Sequence, residues 1–93
     1  MGWVYKLTFP NGKIYVGKDL TGTFRYFGSW NSELVLDDFS DSDRLDFTVR
    51  REILFESDDN NKINKKEIDF IRKFDSNNPS VGYNQWPKWN FEK

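Results

Sequence analysis

The chain has 93 residues, a net charge of −1, and neither cysteine nor histidine. That composition excludes disulfide staples, zinc centres and every catalytic scheme built on a thiolate or an imidazole. It also leaves no global field to draw the protein to a polyanion. Nine Phe, four Trp and four Tyr must supply the core of one small domain spanning residues 1–93, since rings carry the largest buried area per residue.

Trp3, Tyr5, Leu7 and Phe9 alternate with Val4, Lys6 and Thr8, and the period of two predicts a first strand. Pro10, Asn11 and Gly12 form a turn signal, because Pro presets its own φ and Gly accepts a positive one. Ile14 to Lys18 then returns as a second strand. A three-residue loop would pair Phe9 with Lys13, Leu7 with Tyr15 and Tyr5 with Gly17. Tyr5 and Tyr15 would then be diagonal neighbours on one face, about 7–8 Å apart at Cα. Two readings fit: cross-strand aromatic packing, or phenols aimed at one small ligand with Gly17 leaving backbone room opposite Tyr5.

Residues 18–30 carry two glycines and read as an irregular loop holding Arg25 and Tyr26. Asn31 to Phe39 reads as a short helix with Leu34, Val35 and Phe39 on its apolar face. The acidic stretch Asp37 to Asp46 lacks the turn Gly and closing Glu of a calcium loop and reads as a solvated loop. Residues 46–56 form a third predicted strand, with Phe47, Val49, Arg51, Ile53 and Phe55 on one face. Residues 57–61 read as a polar loop. Asn64 is the expected N-cap with Glu67 at the capping-box position, and Lys65 to Asp75 is the expected main helix. In the closing tail, Trp86, Trp89 and Phe91 fit either core caps or a surface on which bases stack. The order ββαβα predicts an α+β domain: a small three-stranded antiparallel sheet flanked by helices. No apolar run approaches the roughly 20 residues needed to span a bilayer and no signal peptide opens the chain, so the expected compartment is the cytoplasm.

Glu67 is the anomaly. At 3.6 residues per turn it falls about 40° from Ile63, within the arc of Phe70, Ile71 and Phe74 and away from Lys65, Lys66, Asp69 and Lys73. A carboxylate in an apolar stripe is costly unless it is paired, hydrogen-bonded or bound to a cation. An ion pair with Arg51 or Arg25, a capping role, and a functional role all fit. Arg25 itself fits a surface charge or a phosphate clamp. Lys18, Arg50, Arg51, Lys65, Lys66, Arg72 and Lys73 are the candidates for a local basic rim.

Two phenols, a guanidinium and a core-facing carboxylate match metal-assisted phosphodiester hydrolysis. One carboxylate can hold Mg²⁺ that retains several waters, Arg can stabilise phosphate charge, and a phenol, ordinarily titrating at about 10, can relay a proton if a cation lowers its pKa.

At this spacing the residues resemble the GIY-YIG nuclease family. The motif halves correspond to Trp3-Val4-Tyr5 and Tyr15-Val16-Gly17, Arg25 lies eight residues after that Gly, and Glu67 precedes "IDFIRKF" on its helix. Gly82-Tyr83-Asn84 is similar to the closing motif, and "RYFGS" at Arg25 to Ser29 looks like a variant found in phage-encoded homing-type members. The resemblance spans about residues 3–85. It implies a DNA endonuclease with one Mg²⁺ or Mn²⁺ on Glu67, Arg25 on the scissile phosphate and Tyr5 as general base. It further implies that Tyr15 orients the water or contacts the phosphate, Lys18 lowers a phenol's pKa, and Gly17, Tyr26 and Asn84 support the site. Trp3 replaces the first Gly of the motif, which is displaced to Gly2, and Ser29 and Trp30 stand where some members carry a His or Tyr. The expectation is a catalytic module alone, with no separate DNA-binding domain, so a protein partner or larger assembly would supply specificity. A non-catalytic nucleic-acid-binding or accessory protein on the same fold is the alternative. The nuclease assignment requires Tyr5, Tyr15, Arg25 and Glu67 to line one cleft.

Overall fold

The computed structural model describes residues 2–20, 38–40 and 47–89. Strands β1 (Gly2–Thr8), β2 (Ile14–Asp19) and β3 (Arg50–Ser57) form an antiparallel sheet in the order β2-β1-β3, and helix α1 spans Asn60–Phe74. The protein is therefore α+β. The predicted first helix, Asn31 to Phe39, lies almost wholly outside the described residues; its last two residues, Asp38 and Phe39, are turn and bend.

The hairpin takes the expected register. Phe9 N–H donates to Lys13 O and Gly12 N–H to Phe9 O, both at 2.9 Å, with Gly12 at φ 86°. Asn11 Oδ1 accepts from Lys13 N–H at 3.0 Å, an Asx turn that pins the loop. Tyr5 then faces Gly17 and Leu7 faces Tyr15. One face of the sheet gathers Trp3, Tyr5, Leu7 and Phe9 with Phe39 and Tyr83. The other carries Val4 and Val16 against Ile63 and Ile71 of α1.

The third strand differs from expectation twice. Pairing begins at Arg50, leaving Phe47 to Val49 outside the strand. The register also shifts between Val4, opposite Phe55, and Tyr5, opposite Ile53, so that Leu54 is an extra residue. This bulge moves the strand's alternation by one. Phe47 and Val49 pack against the tyrosine side, whereas Leu54 and Phe55 pack against the helix side. The predicted common face is thus split.

The helix starts earlier than Lys65. Its N-cap is Asp59, whose Oδ1 accepts from Asn61 N–H at 2.9 Å. Asn64 lies inside the helix, and Glu67 has no capping role. Asn60 and Asn61 read as part of the 57–61 loop because asparagine is a poor helix former and the stretch is polar. What overrides that weak preference is tertiary: Ile63 is fully buried between the helix and the sheet, and a residue there needs a turn of helix ahead of it. At the other end Asp75 adopts φ 55°, ψ 32°, and the N–H of Ser76 reaches Ile71 O at 3.1 Å. A left-handed L-residue is strained where glycine is not. Asp75→Gly is therefore expected to raise stability by about 1 kcal/mol, read as a higher denaturant midpoint at unchanged slope.

The segment after α1 turns back along the free edge of β2. Ile14 N–H donates to Val81 O at 3.1 Å and Tyr83 N–H donates to Ile14 O at 2.8 Å, with a parallel bridge between Ile14 and Gly82. One position on, Asn84 replaces backbone with side chain. Its Oδ1 accepts from Val16 N–H at 2.7 Å and its Nδ2 donates to Val16 O at 2.8 Å. An edge that would otherwise offer unpaired peptide groups is thereby covered. Among the described residues no helix is long and apolar enough to cross a membrane.

Candidate active site

A cleft of about 460 Å³ runs beside the β2 edge, lined by Tyr15, Lys18 and Glu67 and closed by Tyr83, Asn84 and Trp86. Its residues come from both faces of the sheet. Alternation places Tyr15 on the tyrosine side and Lys18 on the helix side, and the cleft opens around the edge strand that carries both.

Glu67 occupies the position on α1 that its helical angle implies. Its side chain is 21% exposed, and its Oε1 lies 3.8 Å from Lys18 Nζ. At that distance the two form an ion pair without a hydrogen bond. The ammonium makes its short contact elsewhere, donating to Asn64 Oδ1 at 2.6 Å. Burial pushes the Glu67 carboxyl above its ordinary value, and the Lys18 charge opposes this without cancelling it. Among the described residues the cationic neighbour of Glu67 is thus Lys18, not Arg51, which sits opposite Leu7 on the tyrosine side. Lys18 directs its ammonium to Asn64 and Glu67, so its charge acts on the carboxylate. Of the seven candidate rim cations, Lys18 lines the cleft and the other six do not.

The two tyrosines share a face but not an exposure. Tyr15 reaches the cleft, whereas Tyr5 is 0% exposed in the core beneath it. Gly17 mediates between them. A Cβ there would stand 2.6 Å from Tyr5 Oη, 2.7 Å from Tyr5 Cζ and 2.8 Å from Tyr15 Cε2. The missing side chain lets the Tyr5 phenol lie across the strand against the Tyr15 ring. Gly17→Ala is expected to cost about 1–3 kcal/mol through overpacking, because the buried Tyr5 cannot retreat, and to displace Tyr15. Thermal unfolding checks the first effect and the change in Tyr15 side-chain shifts the second.

Tyr83 stands inside the closing motif, where residue type alone gives it no role. Its hydroxyl donates to Asp38 Oδ2 at 2.7 Å and accepts from Asn11 Nδ2 at 2.9 Å, while Lys13 Nζ lies 2.9 Å from the same Asp38 oxygen. Burial and the Asp38 hydrogen bond push the Tyr83 phenol up to about 12. Hydrogen bonds from Tyr83 and Lys13 hold Asp38 below its usual range. Tyr83 therefore stays protonated at neutral pH and ties the hairpin tip to the segment closing the cleft. Of the two readings of Trp86, the core cap fails: the side chain is 75% exposed. The signal that sequence reading lacked was the path of the backbone after Asn84.

Tyr15, Lys18, Glu67 and Asn84 are thus brought together, with Gly17 beneath Tyr15. Tyr5 is buried on the sheet face opposite α1 and Glu67, so the sheet separates it from the carboxylate. The requirement of one shared cleft is met by Tyr15 and Glu67, around the β2 edge, and not by Tyr5. Arg25 and Tyr26 lie outside the described residues. Among the described residues no three His, Cys, Asp or Glu side chains gather into a metal cluster. A half-buried carboxylate with a loosely held counter-ion fits a hard cation bound through one protein oxygen, with waters completing its shell. Comparison with family models, curated proteins and solved structures returned no match.

Proposed function

We propose that this protein is a metal-dependent DNA endonuclease of the GIY-YIG type, hydrolysing a phosphodiester bond in the cleft beside β2. The supporting observation is the Glu67 carboxylate, half buried in the apolar stripe of α1 yet lining the same cleft as the Tyr15 phenol. Glu67 would hold a divalent cation, Mg²⁺ or Mn²⁺, which when bound supplies Lewis-acid stabilisation of charge on the phosphate.

The chain's own residues do the rest. Tyr15, rather than the buried Tyr5, takes the proton of the attacking water and passes its own to solvent. The water oxygen forms a bond to phosphorus, the bond to the leaving sugar oxygen breaks, and that oxygen departs with a proton from solvent. Arg25 carries phosphate charge through its planar fork of donors. Lys18 keeps positive charge at the cleft. Tyr5 and Gly17 set the position of the Tyr15 ring, and Asn84 fixes both peptide groups of Val16, between Tyr15 and Gly17.

Plasmid nicking with Mg²⁺ or Mn²⁺ tests this reading, comparing the wild type with Glu67→Ala and Arg25→Ala. Metal-dependent nicking by the wild type and its loss in both variants is the expected result. Wild type no more active than the variants on plasmid, single-stranded and branched DNA alike would end the enzyme reading. The burial of Tyr5 favours one second reading, a nucleic-acid-binding or accessory protein on the same fold; DNA binding without cutting is its signature.

A further inference from the structure

Trp86 stands apart from the other large apolar side chains. It is 75% exposed, whereas Ile68, Leu20 and Ile53, the others exposed among the described residues, lie between 37% and 40%. Exposing an indole forgoes the burial that makes tryptophan useful to a small core, and Trp3 in the same chain is buried at 6%. The position is also held. Two residues upstream, Asn84 is bonded twice to Val16, and one residue downstream, Pro87 O accepts from Asn77 Nδ2 at 2.6 Å. An exposed ring on a fixed backbone loses little conformational freedom when something binds to it.

Its surroundings identify what would bind. Trp86, Pro87 and Ile68 line the same cleft as Lys18, Glu67 and Tyr15. One stretch of the wall is apolar and aromatic, and another is charged. A phosphodiester alone needs only the charged part. A nucleotide needs both, because its base offers a flat π-face as well as a charged phosphate.

We propose that Trp86 is a stacking platform for an unpaired nucleobase, so that the cleft takes DNA in which at least one nucleotide has left the helical stack. In an intact duplex both faces of every internal base are covered by neighbours and none is open to an indole. The substrate class is therefore single-stranded, branched or distorted DNA. The placement of the phosphate rests on the nuclease reading; the base site does not.

The test is fluorescence anisotropy in EDTA, so that nothing is cut, using labelled oligothymidylate and a blunt duplex of equal length. The wild type is expected to bind the unpaired strand more tightly. Trp86→Ala should weaken that binding by about 5- to 100-fold while changing duplex binding by less than about twofold. Trp86→Phe, which keeps a ring, should recover most of the loss, and both variants should unfold at the wild-type temperature because the side chain is exposed. No loss in Trp86→Ala, equal loss on both DNA forms, a Phe variant as weak as the Ala variant, or no wild-type binding to the single strand would each overturn the proposal. Cleavage is scored separately. Trp86-dependent binding by a protein that never nicks DNA would retire hydrolysis and keep the base site, whereas nicking indifferent to Trp86 would do the reverse.

Discussion

Replacing Glu67 with Gln is expected to reduce metal-dependent cleavage by at least about 100-fold, the consequence of losing several kcal/mol of metal-borne charge stabilisation, without lowering the melting temperature. The second half separates a functional carboxylate from a structural one. Two effects compete in the fold. The ion pair with Lys18 is long, at 3.8 Å, and its lysine side chain is 37% exposed, so its loss costs less than about 1 kcal/mol. Against it stands the desolvation of the carboxylate, the largest influence on Glu67 and the one that raises its pKa. Gln has nearly the same shape and carries no charge to desolvate, so burial wins and the variant is as stable as the wild type or more so. The pH dependence has a definite sign. A carboxyl whose folded pKa exceeds its unfolded value binds protons more tightly when folded, so its contribution to stability is lost as pH rises from about 4.5 through the raised folded value. Glu67→Gln should lack that slope, and its advantage over the wild type should therefore grow from acid to neutral pH. Because metal binding needs the ionised form, the acid limb of the wild-type activity profile should lie above that of an ordinary carboxylate. A Gln variant that melts lower than the wild type would make Glu67 a structural ion-pair partner.

The second large effect is expected at Asn84. Its side chain satisfies both peptide groups of Val16 in a buried setting. In Asn84→Ala the N–H and the C=O of Val16 are stranded together. An orphaned buried polar group costs about 1–3 kcal/mol, so a total of about 2–6 kcal/mol is expected for the two, a large fraction of what holds a small domain folded. At about 4–8 °C per kcal/mol for a domain of this size, the melting temperature should fall by roughly 10 °C or more. Cleavage, measured well below that midpoint, should also fall, because Val16 lies between Tyr15 and Gly17 and slack in that strand displaces the phenol. Asn84→Asp is no remedy. It keeps an acceptor for the Val16 N–H but sets a carboxylate oxygen against the Val16 carbonyl. A stable, fully active Asn84→Ala protein would show that the 81–84 segment does not position the cleft.

The legible parts of the fold were those decided by near neighbours. Pro10, Asn11 and Gly12 specify their own loop, the loop specifies the register, and the register places Tyr5 opposite Gly17 and Leu7 opposite Tyr15. Likewise, helical periodicity alone places Glu67 among Ile63, Phe70 and Ile71, whatever residue begins the helix. The illegible parts depend on distant partners. Leu54 becomes a bulge only because Phe55 and Ile53 must meet Val4 and Tyr5 on β1, and no local pattern marks it. Asp59 outcompetes Asn64 as cap because a buried Ile63 requires the extra turn. The hydroxyl of Tyr83 meets Asn11, 72 positions away in sequence. Exposure follows the same rule: alternation puts Tyr5 and Tyr15 on one face, but which of them the rest of the fold covers is a tertiary matter.

The central claim, that a divalent cation sits on Glu67 beside Tyr15, is tested most directly by titrating Mn²⁺ into the isotope-labelled protein and following paramagnetic broadening of its backbone amide signals. Broadening should appear first at Tyr15, Lys18, Glu67 and Asn84, which line the cleft, and at their neighbours in sequence, and should vanish in Glu67→Gln. Broadening that centres on the acidic stretch Asp37 to Asp46, or that survives unchanged in Glu67→Gln, would contradict the claim.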